Sequence, residues 1–335
     1  MVRTDGRATE TAARRVELTS PAREAGAPVL QRLAFSAMGT MCEVQYATDD
    51  GQASAAFAKA VVSWVQGFEA RYSRFRPNSL ISRINAAAGR AWVQVDQEME
   101  DMFLVCDNLH TLTRGVLDPT ALPLISLWNW RAPAAALPTP ARIDAARRLT
   151  GWQKVQRAPG RVFLPEPGMA LDFGGFGKEY AVDLVACIAA NHGIPAVLVD
   201  FGHDIFASGQ PPGRPAWHIG LEDPRSPGRT AGSVAITNRG VASSGDYVRR
   251  FVFEGKRYGH IIDPRTGWPV DNGCAQATVV AASCLQAGAL STAAFVLGMK
   301  EGIEFIRSCR GAEGIIWHQD RRAQTPGFSH YETTA

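Results

Sequence analysis

His260 is the residue best suited by its type to move a proton. It lies in the segment GHIIDPRTGWPV, residues 259–270, where a strand-like stretch runs into a turn at residues 263–267. An imidazole titrates near neutral pH and can accept a proton from a hydroxyl nucleophile. Asp246, in the segment SSGDY, lies across a predicted hairpin from His260, and we expect the two to meet at one end of it. A structural role is the competing interpretation of a single histidine.

A glycine-rich turn offers a second kind of chemistry. In the segment LDFGGFGKEYAVD, Gly174, Gly175 and Gly177 fall between a predicted strand and a predicted helix. Such a turn lets the backbone approach a phosphate, because the N–H groups of the helix N-terminus face it. Lys178 would add a positive charge. The spacing matches neither GxGxxG nor the P-loop, so an ordinary strand-to-helix turn stays an alternative.

Two further polar turns are candidates for ligand contact. The segment GVLDPTALPL contains Asp118-Pro119-Thr120, which is typical of a reverse turn and also presents a carboxylate and a hydroxyl. Another segment, Gly202-His203-Asp204, follows a predicted strand. A metal site made of His203 and Asp204 is disfavoured, because adjacent residues of a strand point to opposite faces.

The composition restricts the possible classes of function. The chain has 335 residues, 46% of them hydrophobic, which suffices for one large domain or two packed halves. The formal net charge is only +3 and there is no basic stripe, so nucleic-acid binding is disfavoured. The six cysteines form no CxxC pair and no zinc-like spacing, and we interpret most of them as buried, reduced thiols.

The beginning of the chain has a different composition. Residues 1–30 are rich in Ala, Arg, Glu and Thr, and they contain neither the apolar core of a signal peptide nor a lipidation cysteine near the start. We interpret them as a flexible N-terminal tail of a cytoplasmic protein, unless the true start lies upstream. No apolar run approaches the ~20 residues of a membrane span.

The rest of the pattern predicts helices combined with a strand-rich second half. Amphipathic or small-residue helices are expected at residues 51–75, 99–115 and 283–299. Residues 169–202 are expected to form a strand, a glycine turn, a helix and a strand. Residues 131–142 predict a surface loop, and residues 217–270 predict strands with a hairpin near 254–256. This order fits an α+β fold in one compact unit, with two lobes as the alternative.

Eight segments together resemble the FAD:protein FMN transferases, the ApbE family. In the family's order they are AMGT, YSRFRPNSLISRIN, GVLDPTALPL, LDFGGFGKEYAVD, LVDFGHDI, SSGDY, HIIDPRTG and AGALSTAAFVLG, from about residue 35 to 300. Each segment alone is weakly specific, whereas eight in order are a strong signal. The resemblance implies one ApbE-like domain over residues 31–330, with a mixed, largely antiparallel sheet and flanking helices.

The resemblance also implies a reaction. Enzymes of this family bind FAD together with a divalent cation, usually Mg²⁺. A threonine hydroxyl of an acceptor protein, in a Ser/Thr-Gly-Ala-Ser/Thr-like target, attacks the phosphorus of the FMN half, and AMP leaves. The residue types suit phosphoryl transfer, which needs a positioned nucleophile, a base and positive charge. Two alternatives on the same scaffold are an FAD pyrophosphatase and a non-catalytic FAD-binding protein.

By the same resemblance, His260 is the candidate base for the incoming threonine, and Asp246 would orient His260 or polar groups of FAD. The positions that match flavin- or adenine-binding residues of the family are Met38, Phe75, Val116, Leu117, Asp118, Gly174, Tyr180 and Ile262. The candidate ligand-binding set also includes Lys178 and Ser244. Phe75 replaces a common tyrosine, which keeps ring stacking but loses a phenol hydrogen bond.

The expected metal site departs from the family's pattern. Where the family reads Ala-Asp-Ala-x-x-Thr, this chain has Gly288 in place of the metal-binding Asp, while Thr292 and the carbonyl of Gly177 match the other expected ligands. Glu179 stands where the family commonly has glycine. We hypothesise that its carboxylate replaces the missing one. The alternative is a solvated first-turn residue that the helix dipole favours.

Overall fold

The computed structural model describes residues 16–19, 29–128, 136–246, 249–319 and 321–333. The strands are β1 (Glu17–Thr19), β2 (Val29–Ala37), β3 (Thr40–Thr48), β4 (Val93–Gln94), β5 (Gln156–Ala158), β6 (Arg161–Phe163), β7 (Val197–Phe201), β8 (Ile205–Ser208), β9 (Trp217–Glu222), β10 (Thr230–Ile236), β11 (Arg239–Gly245), β12 (Arg250–Phe253), β13 (Lys256–Gly259), β14 (Ile262–Asp263), β15 (Trp268–Pro269), β16 (Cys274–Ala281), β17 (Glu313–His318), β18 (Arg321–Gln324) and β19 (Glu332–Thr333). The helices are α1 (Gly51–Tyr72), α2 (Leu80–Ala86), α3 (Gln97–Leu112), α4 (Leu122–Ile125), α5 (Pro140–Arg148), α6 (Gly177–Asn191), α7 (Cys284–Leu297) and α8 (Met299–Ser308).

A nine-stranded sheet forms the centre of the molecule. Its order is β1-β2-β3-β7-β8-β11-β16-β17-β18, and each of these pairings is antiparallel. A two-residue turn joins β2 to β3, and both of its residues have positive φ, 52° at Met38 and 74° at Gly39. The predicted hairpin of β12 and β13 turns in the same way at Glu254 and Gly255. Such turns match the twist of the paired strands.

The two faces of this sheet are covered differently. Along β7, Val197, Val199 and Phe201 pack with α1 and α6, whereas Leu198 packs with β9 and β10. Along β16, Val279 packs with α7 and α8 in the same alternating manner. Since successive strand residues point to opposite faces, helices lie on one face and the small sheet of β9, β10 and β19 lies on the other.

The two helices nearest the candidate site are joined by a carboxylate. Asp183 of α6 accepts hydrogen bonds from the backbone N–H groups of Cys284 at 2.8 Å and of Leu285 at 2.9 Å, the first two residues of α7. It therefore caps the α7 N-terminus, whose N–H groups have no partner within the helix. The α6 and α7 axes are fixed relative to each other at this point.

The α+β architecture expected from the sequence is confirmed, and the expected helices match α1, α3 and α7. The expected strand at residues 169–173 is wrong. This segment pairs with no strand among the described residues; instead, the side-chain amide of Asn85 bonds to both N–H and C=O of Leu171, at 2.7 and 2.9 Å. A side chain thus replaces the strand partner.

Two other expectations concern segments that the structure describes only in part, the loop at 131–142 and the N-terminal tail. The predicted loop at 131–142 is wrong at its end, because α5 begins at Pro140, with Thr139 as its N-cap; residues 131–135 lie outside the described part. Within the predicted tail, residues 17–19 form β1 and pair with β2, and most other residues of that range lie outside the description. Among the helices described, none is both long and apolar enough to cross a bilayer.

Candidate active site

His260 lies directly after the hairpin of β12 and β13. Its backbone N–H donates to the carbonyl oxygen of Arg249 at 3.0 Å, and its ring nitrogen Nδ1 lies 3.2 Å from the same oxygen. A carbonyl only accepts hydrogen bonds, so in the neutral ring the proton lies on Nδ1 and the lone pair on Nε2. The predicted base is therefore held in a tautomer that accepts a proton through Nε2.

The surroundings of His260 favour the neutral ring. Burial, followed by the charge of Arg249 and to a smaller extent that of Lys178, lowers the pKa of His260 to about 4, although the bond to the Arg249 carbonyl offsets part of this. At neutral pH the imidazole is therefore unprotonated, as a general base requires.

Asp246 lies beside the residue that precedes His260. Its side chain is buried, and a Cβ on Gly259 would be 2.7 Å from the Cβ of Asp246, so only glycine fits there. Oδ2 lies 3.3 Å from Nη2 of Arg257, while Oδ1 has no hydrogen-bond partner in the described part of the chain. Burial raises the pKa of Asp246, and Arg257 offsets part of this rise. The structure thus places Asp246 beside Gly259, with its carboxylate directed to Arg257, while the carbonyl of Arg249 contacts the His260 ring; an orienting contact from Asp246 to His260 stays a prediction.

The turn after the histidine is anchored from within and from outside. Asp263 accepts from the backbone N–H and from Nε of Arg265, both at 2.9 Å, and Gly267 closes the turn with φ 80°. The indole N–H of Trp128 donates to the Gly267 carbonyl at 2.9 Å. Ile262 belongs to β14, which pairs with β15 across this turn. These contacts fix the segment that presents the imidazole.

α6 begins in the glycine-rich turn without a side-chain cap. Phe176 occupies the N-cap position and supplies no side-chain hydrogen bond, and Gly177 is the first helical residue. Gly174 is exposed, and its N–H donates to Oδ1 of Asp172 at 3.0 Å. N–H groups at a helix start, together with the helix dipole, favour an anionic group. The N–H of Gly177 donates to the carbonyl of Phe173 at 2.7 Å, so a phosphate contact at this turn stays a prediction.

Lys178 forms an ion pair with a carboxylate of the following hairpin. Its Nζ donates to Oδ2 of Asp204, and both side chains are largely buried. Burial alone would lower the pKa of Lys178, but the charges of Glu179 and Asp204 outweigh it and raise the pKa. Lys178 therefore stays charged while engaged with Asp204, and a direct contact with a cofactor stays a prediction.

Glu179 is buried against Gly288. Only 7% of Glu179 is exposed, so its interpretation as a solvated residue is wrong. A Cβ on Gly288 would lie 2.6 Å from Cγ and 2.8 Å from Oε1 of Glu179. Oε2 is buried and has no hydrogen-bond partner among the described residues. Burial, followed by the charge of Asp204, raises the pKa of Glu179, and Lys178 offsets part of that rise.

Three hydroxyls meet where the next turn of α7 packs against β11. The Oγ of Ser244 lies 2.9 Å from Oγ of Ser291 and 2.9 Å from Oγ1 of Thr292. Ser291 also donates to the Gly288 carbonyl at 3.0 Å. Residues four apart share one face of a helix, so Thr292 lies one turn beyond the position that Glu179 contacts. A carboxylate and hydroxyls thus adjoin on one side of α7.

A magnesium ion, which the sequence resemblance implies, can be tested against these residues. Within the described ranges, no group of three or more His, Cys, Asp or Glu is arranged to hold a metal. Mg²⁺, however, needs only about one or two carboxylates and takes its other ligands from water and substrate phosphates. The buried Oε2 of Glu179, without a hydrogen-bond partner in the described structure, and the nearby hydroxyl of Thr292 are oxygen ligands of that kind. The residues fit the ion.

Three of the predicted flavin- or adenine-contacting residues lie near α1. Met38 lies in the β2–β3 turn, and its N–H donates to Oε1 of Glu69 at 3.1 Å. Phe75 is 76% exposed, and the guanidinium of Arg74 lies 4.3 Å from its ring centroid. Tyr180 stacks on Phe68 at 5.7 Å. An exposed aromatic ring and a non-glycine residue at positive φ are features that binding sites often use.

The turn after α3 is satisfied internally. Val116 and Leu117 are buried in two different core clusters. Asp118 accepts at Oδ1 from the backbone N–H of Thr120 at 2.8 Å, and at Oδ2 from that of Trp152 at 3.0 Å. Its carboxylate therefore holds the turn, which was the competing interpretation of this segment, and a ligand contact of Asp118 stays a prediction.

Two residues of the site were missed by sequence reasoning. Arg249, whose carbonyl holds the His260 ring, contributes its backbone, and a backbone role leaves no signal in residue type. Asp204 was considered as a ligand contact or as a metal partner of His203, whereas its partner in the structure is Lys178. The pattern of a charged residue at a strand end could have indicated a buried ion pair, but its partner lies on another element.

Comparison with known proteins identifies relatives for this arrangement. The ApbE family model matches residues 38–316. The chain is 30% identical over 304 residues to the FAD:protein FMN transferase of Treponema pallidum, covering 86% of this chain and 84% of that protein. It is 29% identical over 296 residues to the FAD:protein FMN transferase of Salmonella typhimurium, with the same coverage, 86% and 84%.

Solved structures give the same result for the fold. The apo flavinyl transferase ApbE of Pseudomonas stutzeri superimposes with a TM-score of 0.82 at 27% identity, over 93% of this chain and 100% of that one. The ApbE protein of Thermotoga maritima also has a TM-score of 0.82, at 29% identity, over 91% and 100%. The similarity therefore extends over nearly the whole of both chains.

Proposed function

This chain belongs to the ApbE family, and we propose that it is an FAD:protein FMN transferase that acts on a threonine of an acceptor protein. In the proposed reaction, the threonine hydroxyl oxygen forms a bond to the phosphorus of the FMN half of FAD. The bond from that phosphorus to the bridging oxygen breaks, and AMP leaves with this oxygen and its electron pair. The hydroxyl proton passes to Nε2 of His260.

The observation that carries this proposal is the contact of His260 with the Arg249 carbonyl. It assigns the proton to Nδ1 and leaves Nε2 as the basic nitrogen, and the lowered pKa keeps the ring neutral. A neutral imidazole can accept a proton from a hydroxyl that attacks a phosphate. Asp246 fills the space beside Gly259 and so supports the strand that ends at the base.

The phosphates of FAD are expected to lie at the N-terminus of α6, where Gly174 and Gly177 allow close approach. Glu179, Thr292 and the carbonyl of Gly177 are the residues that would hold Mg²⁺. When bound, the cation would neutralise charge on the phosphate oxygens. Contacts with the flavin or adenine are proposed, by the resemblance, for Met38, Phe75, Val116, Leu117, Asp118, Gly174, Tyr180 and Ile262, and further contacts with FAD for Lys178 and Ser244.

The acceptor is expected to present its threonine in a Ser/Thr-Gly-Ala-Ser/Thr-like segment, and its cytoplasmic location stays a prediction. The test combines purified protein, FAD and MgCl₂ with an acceptor that carries this segment. A flavin-fluorescent acceptor band on a denaturing gel, together with equimolar AMP, supports the proposal. FMN and AMP formed equally with and without acceptor would instead identify a pyrophosphatase. Retention of intact FAD would identify a binding protein.

A further inference from the structure

The carboxylate of Glu179 is buried, and the nearby charge of Lys178 compensates it only in part. The side chain is 7% exposed, and Oε2 has no hydrogen-bond partner in the part of the chain that the structure describes. The neighbouring cation, Lys178, already donates to Asp204. A buried carboxylate oxygen without a partner is costly, so a residue of this kind points to something that binds it.

Glu179 takes the space of a side chain at position 288. A Cβ at Gly288 would lie 2.6 Å from Cγ of Glu179, which is closer than carbon atoms approach without displacement. A carboxylate at 288 and the present conformation of Glu179 therefore exclude each other. The present conformation of Glu179 therefore requires glycine at position 288.

The packing of α6 on α7 brings Glu179 to a set of oxygen atoms. Asp183 contacts the first residues of α7, and Glu179, one turn earlier on α6, contacts Gly288, one turn further along α7. The two helices are therefore antiparallel. The next turn of α7 carries Ser291 and Thr292, whose hydroxyls lie on Ser244. The carboxylate and the hydroxyls adjoin near the beginning of α6.

We propose that Glu179 is a divalent-cation ligand in this protein and supplies from α6 the carboxylate that the family's pattern carries on α7 at position 288. This inference rests on the proposed function, because the cation is the one that FAD transfer requires. Glycine at 288 is then a requirement of the site, since it makes room for Glu179. The alternative is a carboxyl group that only balances the buried charge of Lys178.

The test measures cation binding directly, without transfer. The full-length protein is titrated with Mn²⁺ in two conditions, without AMP and with AMP as a source of phosphate oxygens. The concentration of free Mn²⁺ is measured by electron paramagnetic resonance. Glu179→Gln keeps the size of the side chain and removes its charge, and it should weaken Mn²⁺ binding by roughly ten-fold or more. The double variant Glu179→Ala/Gly288→Asp should recover most of the affinity, because the carboxylate returns from the other helix.

The matched control is Glu301→Gln, at a first-turn glutamate of α8 whose exposed side chain should leave Mn²⁺ binding unchanged. Unaltered Mn²⁺ affinity in folded Glu179→Gln would overturn the proposal, as would a wild-type protein that binds Mn²⁺ under neither condition. A folded double variant without recovery would also overturn it. Because Mn²⁺ binding is read without acceptor, absence of transfer would contradict the proposed function and leave this inference intact.

Discussion

The ring nitrogen Nδ1 of His260 lies 3.2 Å from the carbonyl oxygen of Arg249, and this contact determines which ring nitrogen is basic. The carbonyl belongs to the residue before β12, while the imidazole follows β13, so the paired strands of the hairpin hold both ends of the bond. Contacts within one hairpin thereby prepare a proton acceptor before any acceptor protein binds.

Replacing the base should strongly reduce transfer while leaving the fold intact. His260→Ala should lower the single-turnover rate of FMN transfer by roughly 10²–10⁴-fold, the usual contribution of a general base. FAD affinity should change little, because the imidazole is assigned to the acceptor side. His330→Ala, at an exposed histidine, is the control and should keep the wild-type rate. A near-normal rate in His260→Ala would remove this residue from the mechanism.

On the acid side, the transfer rate should begin to fall only at an unusually low pH. With the pKa of His260 lowered to about 4, the base stays neutral as pH falls from 8 to about 5.5, and the single-turnover rate should stay nearly constant over that range. An acid limb centred near the ordinary histidine value of about 6.5 would contradict the burial of this ring. Rates would be measured at each pH with the enzyme in excess over FAD and with saturating acceptor.

The same group should affect stability with a defined sign. Its folded-state pKa lies below the unfolded value, so the unfolded chain binds the extra proton first as pH falls. The contribution of His260 is fully present above the unfolded pKa and is lost between about pH 6.5 and pH 4. The free energy of unfolding of wild type should therefore fall more steeply across this window than that of His260→Ala. The unfolding free energies would be measured by urea unfolding at several pH values. The same dependence on pH in both proteins would contradict the lowered pKa of His260.

Phe75 should matter for FAD and not for folding. Because the ring is 76% exposed, Phe75→Ala should leave the melting temperature of the ligand-free protein almost unchanged. The rise in melting temperature caused by FAD should shrink, since loss of a stacking aromatic costs about 1–3 kcal/mol per stacked base. Leu104→Ala removes an exposed apolar side chain from α3 and serves as the control. An FAD-induced shift equal to wild type in Phe75→Ala would exclude stacking.

Lys178 should contribute to stability through Asp204. Lys178→Met leaves the buried carboxylate of Asp204 without its cation, and breaking a buried pair costs about 3–5 kcal/mol of unfolding free energy. Adding Asp204→Leu removes one of the two buried carboxylates that Lys178 compensates and should restore part of that loss, because Glu179 still lacks the charge of Lys178. Chemical denaturation of the two variants gives the comparison. If Lys178→Met is as stable as wild type, the pair is not formed in solution.

Much of the candidate site was accessible from the sequence because its determinants are local. A histidine ahead of Asp-Pro-Arg-Thr-Gly predicts an imidazole at a strand end, and His260 does follow β13 directly. Asp246 is found beside Gly259, the residue before the histidine, and its approach to the imidazole itself stays a prediction. Glycines before a helical pattern predict the open N-terminus of α6. Turn chemistry and hydrophobic periodicity act over a few residues, so a single sequence records them.

What the sequence did not determine depends on residues that meet only after folding. The extended segment at 169–173 has strand-like alternation, yet the side chain of Asn85 takes the place of a neighbouring strand. Lys178 has the charge of a phosphate contact, yet Asp204 engages it. In each case the partner lies on a different element, and the residue's own type does not identify it.

Glu179 and Gly288 show most clearly the difference between what the sequence contains and what tertiary packing adds. Compared with the pattern of the family that it resembles, the sequence has no carboxylate at position 288 and an additional one at position 179. Only the antiparallel packing of α6 on α7 decided that the second carboxylate lies against the vacant position. The physical reason is that a helix has a fixed rise and rotation per residue, so the face of each residue is local information, whereas the neighbour of that face follows from packing.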